Sequence, residues 1–89
     1  MNSENEDTMP DPQTRGEYRV GISFNPGGRD DVNELKRAAA DLIDLIDRIE
    51  CPNDPAYGAE VARLKALAMT HVEDAAMWAV KAATKPALR

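Results

Sequence analysis

From Pro55 to Pro86 the chain has no internal proline and a dense run of alanine, a stretch that favours one long helix over any other element. Asp54 sits where an N-cap belongs, Pro55 takes the first helical position, and Pro86 stops the helix near Thr84. At ~1.5 Å per residue such a helix is roughly 45 Å long. Val61, Leu64, Ala68, Val72, Ala75, Ala76, Ala79 and Ala83 gather near one face, while Leu67, Trp78 and Val80 spill onto others. The block Thr70 to Lys85, with the lone Trp beside Met77 and many alanines, suits helices that approach each other closely.

A second helix is predicted upstream, starting at Asp31 on a variant capping box, Asp31-x-x-Glu34. Leu35, Ala39, Leu42, Ile46 and Ile49 recur at steps of four and three and form an apolar stripe, widened by Val32, Ala38, Ile43 and Leu45. Asp41, Asp44, Asp47 and Arg48 fall on the wet side, with Asp44 and Arg48 spaced for an ion pair one turn apart. Cys51-Pro52-Asn53 ends this helix after roughly 28 Å. The short connection makes the pair antiparallel, so about a third of the long helix lacks a partner within the chain. Self-association through the long helix is the expected resolution, with Ala76 and Ala79 at the contact.

The expected fold is therefore all-α: a short N-terminal extended and turn segment, then two antiparallel helices, the second long, assembling into a helical homo-oligomer. Residues 1–17 are acidic, hold Pro10 and Pro12, and show no periodic apolar face, so they read as a flexible tail. Tyr18, Val20, Ile22 and Phe24 alternate weakly, which suits a short extended piece. Asn25-Pro26-Gly27-Gly28 turns the chain, because Pro fixes φ and Gly accepts positive φ. The helical domain spans 18–85, and 86–89 form a C-terminal tail.

With 89 residues there is room for one small domain, and aromatics at 4% leave its core to aliphatic side chains and Met. A net charge of −5 argues against DNA, which needs a concentrated basic surface, but leaves room for a small phosphorylated ligand met by one or two cations. Cys51 is the lone cysteine, so no disulfide forms within the chain, and no apolar run reaches the ~18 residues that span a membrane. A soluble, cytosolic protein is expected.

Nothing in the sequence looks catalytic, and no cofactor or metal is implied. His71 is the single histidine and has no ligand cluster around it. Glu73 and Asp74 are adjacent, so a helix points them ~100° apart, poor geometry for a shared proton. Neither Ser3 nor Ser23 sits in a nucleophile elbow, and no Gly-Lys-Ser/Thr follows Gly27-Gly28. Cys51, before a proline at a helix end, reads as a packing residue. Binding is the better prospect. Phe24 beside the turn offers a π-face for a base, and Lys36 and Arg37, about one turn into the next helix, offer charge for a phosphate. The same residues also fit plainer roles, Phe24 as a core anchor and Lys36-Arg37 as a solvated edge.

The order F-N-P-G-G, then V-N-E-L-K-R-A-A-A-D-L-I, then A-L-A-M-T-H-V-E-D-A-A-M-W-A-V-K-A-A-T-K resembles a family of small helical phage proteins. These are known as anti-CBASS protein two, and they act as cyclic-oligonucleotide sponges. The similarity covers Tyr18 to Lys85, and its T-x-x-E-x-A-x-M-W-A block is the most specific part. The resemblance implies an all-helical hexamer in the cytoplasm of the infected bacterial host. It would hold dinucleotides of the 3′,3′-cyclic GMP-AMP type between subunits, and trinucleotides of the cyclic tri-AMP type at separate sites, without cleaving either. By position, the base-stacking aromatic corresponds to Phe24 and the phosphate-contacting cation to Lys36. Phenylalanine stands where many relatives have tyrosine, which keeps the stacking face and loses a hydroxyl hydrogen bond. The trinucleotide site maps to Arg63, Lys65 and Thr70, with the two basic residues competing for one role. A helical adaptor acting through its Ala-rich face is the alternative, and it would not need the Phe24-turn-Lys36 arrangement.

Overall fold

A computed structural model describes residues 13–88 of the chain. It is helical throughout its regular structure, with α1 at Arg15–Val20, α2 at Asp30–Asp47 and α3 at Pro55–Ala83, and no strand among the described residues. Helices α2 and α3 form the expected antiparallel hairpin, and α1 lies across α2 with a lighter contact to α3. No helix among the described residues is long and apolar enough to cross a membrane.

The long helix follows its sequence signals closely. The Asp54 carboxylate accepts from the Tyr57 N–H at 2.8 Å, Pro55 opens the helix, and Thr84 caps it. At the hairpin bend Gly58 lies flush against the preceding loop: a Cβ there would stand 2.3 Å from the Pro52 carbonyl oxygen. Lys65 reaches across the bend, its ammonium donating to the Asp47 carbonyl at 2.9 Å and to the Ile49 carbonyl, and so satisfies the open C-terminal end of α2.

The N-terminal segment departs from expectation. Residues from Tyr18 to Val20 are not extended but belong to α1, and the ordered region begins ahead of Tyr18. A reciprocal capping box starts α1: the Glu17 N–H donates to the Thr14 hydroxyl, and the Thr14 N–H donates to the Glu17 carboxylate, each at 3.0 Å. Gly21, at φ 63°, ends it in the left-handed region, and the Ile22 N–H closes back on the Glu17 carbonyl at 3.0 Å. Gly16 lets α1 touch α2 backbone to backbone, since a Cβ there would fall 2.1 Å from the Ala40 carbonyl oxygen. The acidic stretch 1–12 expected to form most of the tail lies outside the described residues, as does residue 89.

Helix α2 begins one residue earlier than expected, with Arg29 at the N-cap and no side-chain cap. Asp31, read as the capping residue, is instead inside the helix, where it pairs with the Arg29 guanidinium and accepts from the Val32 N–H. Asp44 does not pair with Arg48 on a wet face. It is half-buried, and its carboxylate accepts the Gly16 N–H at 2.7 Å. Asp47 pairs with Arg15 at 3.1 Å, so α1 claims both acids. This turns the inward face of α2: Val32, Lys36, Ala40 and Ile43 are buried, while Leu42, Leu45 and Ile49 are exposed.

Among the described residues the core is small, made of Val32, Ala40, Ile43, Met69 and Ala76, with Ile43 as its one fully buried large side chain. Ala76, expected at a contact between copies, is therefore used inside the chain, and Ala79 is half-buried. Tyr57, Leu64, Leu67, Met77 and Trp78 are the large hydrophobic side chains that α3 leaves exposed. Cys51, expected to pack, is exposed.

Candidate functional site

Phe24 and Lys36 come together because a tight turn feeds one into reach of the other. After Gly21, the Phe24 N–H folds back onto the Gly21 carbonyl at 2.9 Å, and the Gly28 N–H closes the Pro26-Gly27 turn on the Asn25 carbonyl at 2.9 Å. Asn25 ties that turn to α2, its side-chain amide donating to the Arg29 carbonyl at 2.7 Å and to Asn33 at 3.0 Å. Lys36, in the second turn of α2, points back into this loop. Its ammonium donates to the Gly21 carbonyl at 2.9 Å and to the Phe24 carbonyl, and lies 5.4 Å from the centre of the Phe24 ring.

The two side chains have opposite burial, Lys36 being 7% exposed and Phe24 71%. A buried cation thus grips the backbone on either side of an aromatic ring whose face stays open. Two of the three ammonium N–H groups are used on carbonyls, and the third has no hydrogen-bond partner among the described residues. Cation–π attraction adds about 0.5–1 kcal/mol to the hold on the ring.

Two cavities border the ring. One, of about 480 Å³, is lined by Tyr18, Arg19, Glu73 and Met77 together with Phe24 and Lys36. The other, of about 460 Å³, is lined by Asn25, Arg29, Val32 and Thr84 with the same pair, and Val80 borders both. Each falls within the ~300–1,000 Å³ typical of small-ligand sites.

Arg37 is not part of this arrangement. One position further along α2, it turns ~100° away and lines a separate groove of about 620 Å³ with Ile22, Asn33, Glu34 and Asp41. Its guanidinium is held between Glu17 at 2.8 Å and Asp41 at 2.9 Å. Hydrogen bonds from the Thr14 backbone and then from Arg37 keep the Glu17 carboxyl below its ordinary range.

Arg63, Lys65 and Thr70 are only partly brought together. Arg63 and Thr70 share a face of α3 two turns apart, with Arg63 paired to Glu60 at 2.7 Å. Lys65 points elsewhere, into the hairpin bend, where its ammonium already serves the end of α2. Of the two basic residues competing for one role, Arg63 alone is on the Thr70 side. Thr70 is also joined to α1: its hydroxyl accepts from Arg19 Nη2 at 3.3 Å.

Arg19, Tyr18 and Glu73 are the residues that sequence reasoning missed. Tyr18 is 76% exposed on the wall of the 480 Å³ cavity. Arg19 crosses from α1 to α3, donating from Nε to Glu73 at 2.8 Å. The signal available in sequence was an aromatic-cation pair, Tyr18-Arg19, six residues before Phe24-Asn25. Among the described residues no cluster of three or more potential metal ligands forms.

The described chain is thus a helical hairpin with a short docked helix and an exposed aromatic ring beside a cation. The chain matches the family described as Acb2/Tad1, hairpin domain, over residues 16–84, and it belongs to that family. No curated protein and no solved structure matches it. The match agrees with the resemblance to anti-CBASS protein two, and membership of this family points to a sponge role in phage counter-defence, which is binding rather than catalysis.

Proposed function

We propose that this protein sequesters cyclic oligonucleotides made by bacterial CBASS defence, holding them without cleavage. The observation that carries the reading is the exposed Phe24 ring clasped by the Lys36 ammonium and lining two ligand-sized cavities, in a chain of the Acb2/Tad1 hairpin family. The ring face takes a base, and the remaining Lys36 N–H takes a phosphate oxygen. A cyclic dinucleotide has two bases and two phosphates in near two-fold relation, so a symmetric pair of subunits supplies one ring and one cation for each half. Arg63 and Thr70 are the proposed contacts for a cyclic trinucleotide, with Lys65 holding the hairpin bend. The assembly is a homo-oligomer, a hexamer by family resemblance, working in the cytoplasm of the infected cell. Sequestration needs affinity and copy number only, which suits a protein with no candidate catalytic group.

The exposed apolar residues of α3 also favour a second reading, a helical adaptor that docks another protein there. Calorimetry with 3′,3′-cyclic GMP-AMP separates the two. A sponge binds at micromolar affinity or better and returns the nucleotide intact on denaturation. An adaptor gives no heat, and an enzyme returns linear product.

A further inference from the structure

We infer that Arg19 is a second phosphate-contacting residue of the Phe24 cavity, held in place by Glu73 and Thr70; this rests on the sponge reading above. Lys36 alone is a thin anchor for an anion, since two of its three N–H groups are tied to the Gly21 and Phe24 carbonyls. A phosphodiester presents two non-bridging oxygens to whatever holds it, and a planar guanidinium matches that pair in a way an ammonium cannot.

Arg19 lines the same cavity as Phe24 and Lys36, and it is the other cation there. A guanidinium has five N–H groups in a fixed fork. Nε donates to the Glu73 carboxylate at 2.8 Å, and one Nη2 hydrogen donates to the Thr70 hydroxyl at 3.3 Å. Both Nη1 hydrogens and the second Nη2 hydrogen have no hydrogen-bond partner among the described residues. The edge formed by the two terminal nitrogens therefore keeps the donors that a bidentate phosphate contact uses. The side chain is also pre-positioned: it is 23% exposed, and its partners come from α3 while its backbone is on α1. A fork already fixed in direction loses less freedom when a ligand arrives than a solvated arginine does.

Glu73 has a definite part in this. Its carboxylate orients the guanidinium and offsets some of its charge, so the pair trades affinity for geometry. Removing the carboxylate charge while keeping an amide acceptor should leave the fork in place and make it more attractive to phosphate.

The test is calorimetry of the full chain with 3′,3′-cyclic GMP-AMP at low and high salt. Arg19→Gln should weaken binding about tenfold or more and flatten its salt dependence, because one cation–phosphate contact is gone. Arg19→Lys should fall between, keeping charge and losing the fork. Glu73→Gln should bind as tightly as the wild type or more so, with steeper salt dependence. A brace between α1 and α3 with no ligand contact predicts something else: Arg19→Gln and Glu73→Gln both lower the melting temperature while the salt dependence of binding stays unchanged. That result, or wild-type affinity in Arg19→Gln, overturns the inference. If Arg19→Gln fails to fold, the sign of the Glu73→Gln effect decides. No binding by the wild type at any salt overturns the sponge reading itself, a different outcome from either.

Discussion

Lys36 holds Phe24 through its backbone, and the two residues divide the work of the proposed binding site between order and exposure. The ammonium fixes the carbonyls of Gly21 and Phe24, so the ring presents its face without having to be immobilised by the ligand. Phe24→Ala should weaken cyclic dinucleotide binding by roughly 1–3 kcal/mol per stacked base, measured by calorimetry. The fold should survive that change, because the ring is exposed and contributes little to the core. Lys36→Met should act differently. It keeps an apolar stem in the buried position but removes the N–H donors, so the Phe24 carbonyl loses this partner and the Gly21 carbonyl is left with the Phe24 N–H. Faster hydrogen exchange at the Phe24 and Gly28 amides should accompany the loss of affinity; loss of affinity with unchanged exchange would show that the clasp does not order the turn. The Phe24–Lys36 pairing was legible in sequence because a Pro-Gly-Gly turn and a helix start leave the chain few ways to place them. The Arg19–Glu73 pair was not, since its partners are 54 positions apart and no local pattern records the contact.

At the scale of the element, α1 owes its existence to its dock more than to itself. Six residues are too few to hold a helix alone in water, and α1 shows no periodic apolar face. Its sequence signal was present, as Thr14-x-x-Glu17, but it stands beside an acidic, Pro-containing stretch and ahead of a weak alternation that resembles a strand. The long helices carried period and prolines enough to be read directly, and α3 its cap as well, whereas Asp31 reads as the cap of α2 but pairs with Arg29 inside the helix. Gly16→Ala should detach α1, because the added Cβ meets the Ala40 backbone rather than a movable side chain; the expected readout is a lower melting temperature and loss of ligand binding with α2 and α3 still helical. Acid should reach the same joint. Burial pushes the Asp44 carboxyl up, but the Thr14 hydroxyl, the Gly16 N–H and the Arg37 and Arg48 charges together hold it below its ordinary 3.8. Glu17 is held below its ordinary 4.5. Both titrate lower in the folded chain than in the unfolded one, so the unfolded chain takes up protons first as pH falls. Their stabilisation is full above those ordinary values and is lost as pH drops through the lower folded ones. Stability should therefore decline below about pH 4–5, and Asp44→Asn should flatten that decline; an unchanged acid profile in the variant would remove Asp44 from the account.

For the whole molecule, the decisive quantity is how little a single chain buries. Among the described residues, a core with one fully buried large side chain sits beside exposed Leu42, Leu45, Leu64, Leu67, Met77 and Trp78, the kind of apolar surface that self-association would cover. Helix α3, at about 43 Å, also outruns α2, at about 27 Å, and meets the hairpin loop and α1 where α2 does not cover it. Light scattering at micromolar concentration should return a multiple of the 9.8 kDa chain mass, with sixfold expected, and melting should shift upward with protein concentration. The structure also says where to cut. Ala76→Arg strikes inside the chain, where the side chain is already packed, and should unfold the subunit. Leu67→Lys strikes outside and should leave a helical but smaller species. If a symmetric subunit pair forms the ligand site, that smaller species should also lose cyclic dinucleotide binding although Phe24, Lys36 and Arg19 are untouched. Retained affinity in a monomeric Leu67→Lys protein would mean that each chain carries a complete site, and that assembly serves the burial of apolar surface alone.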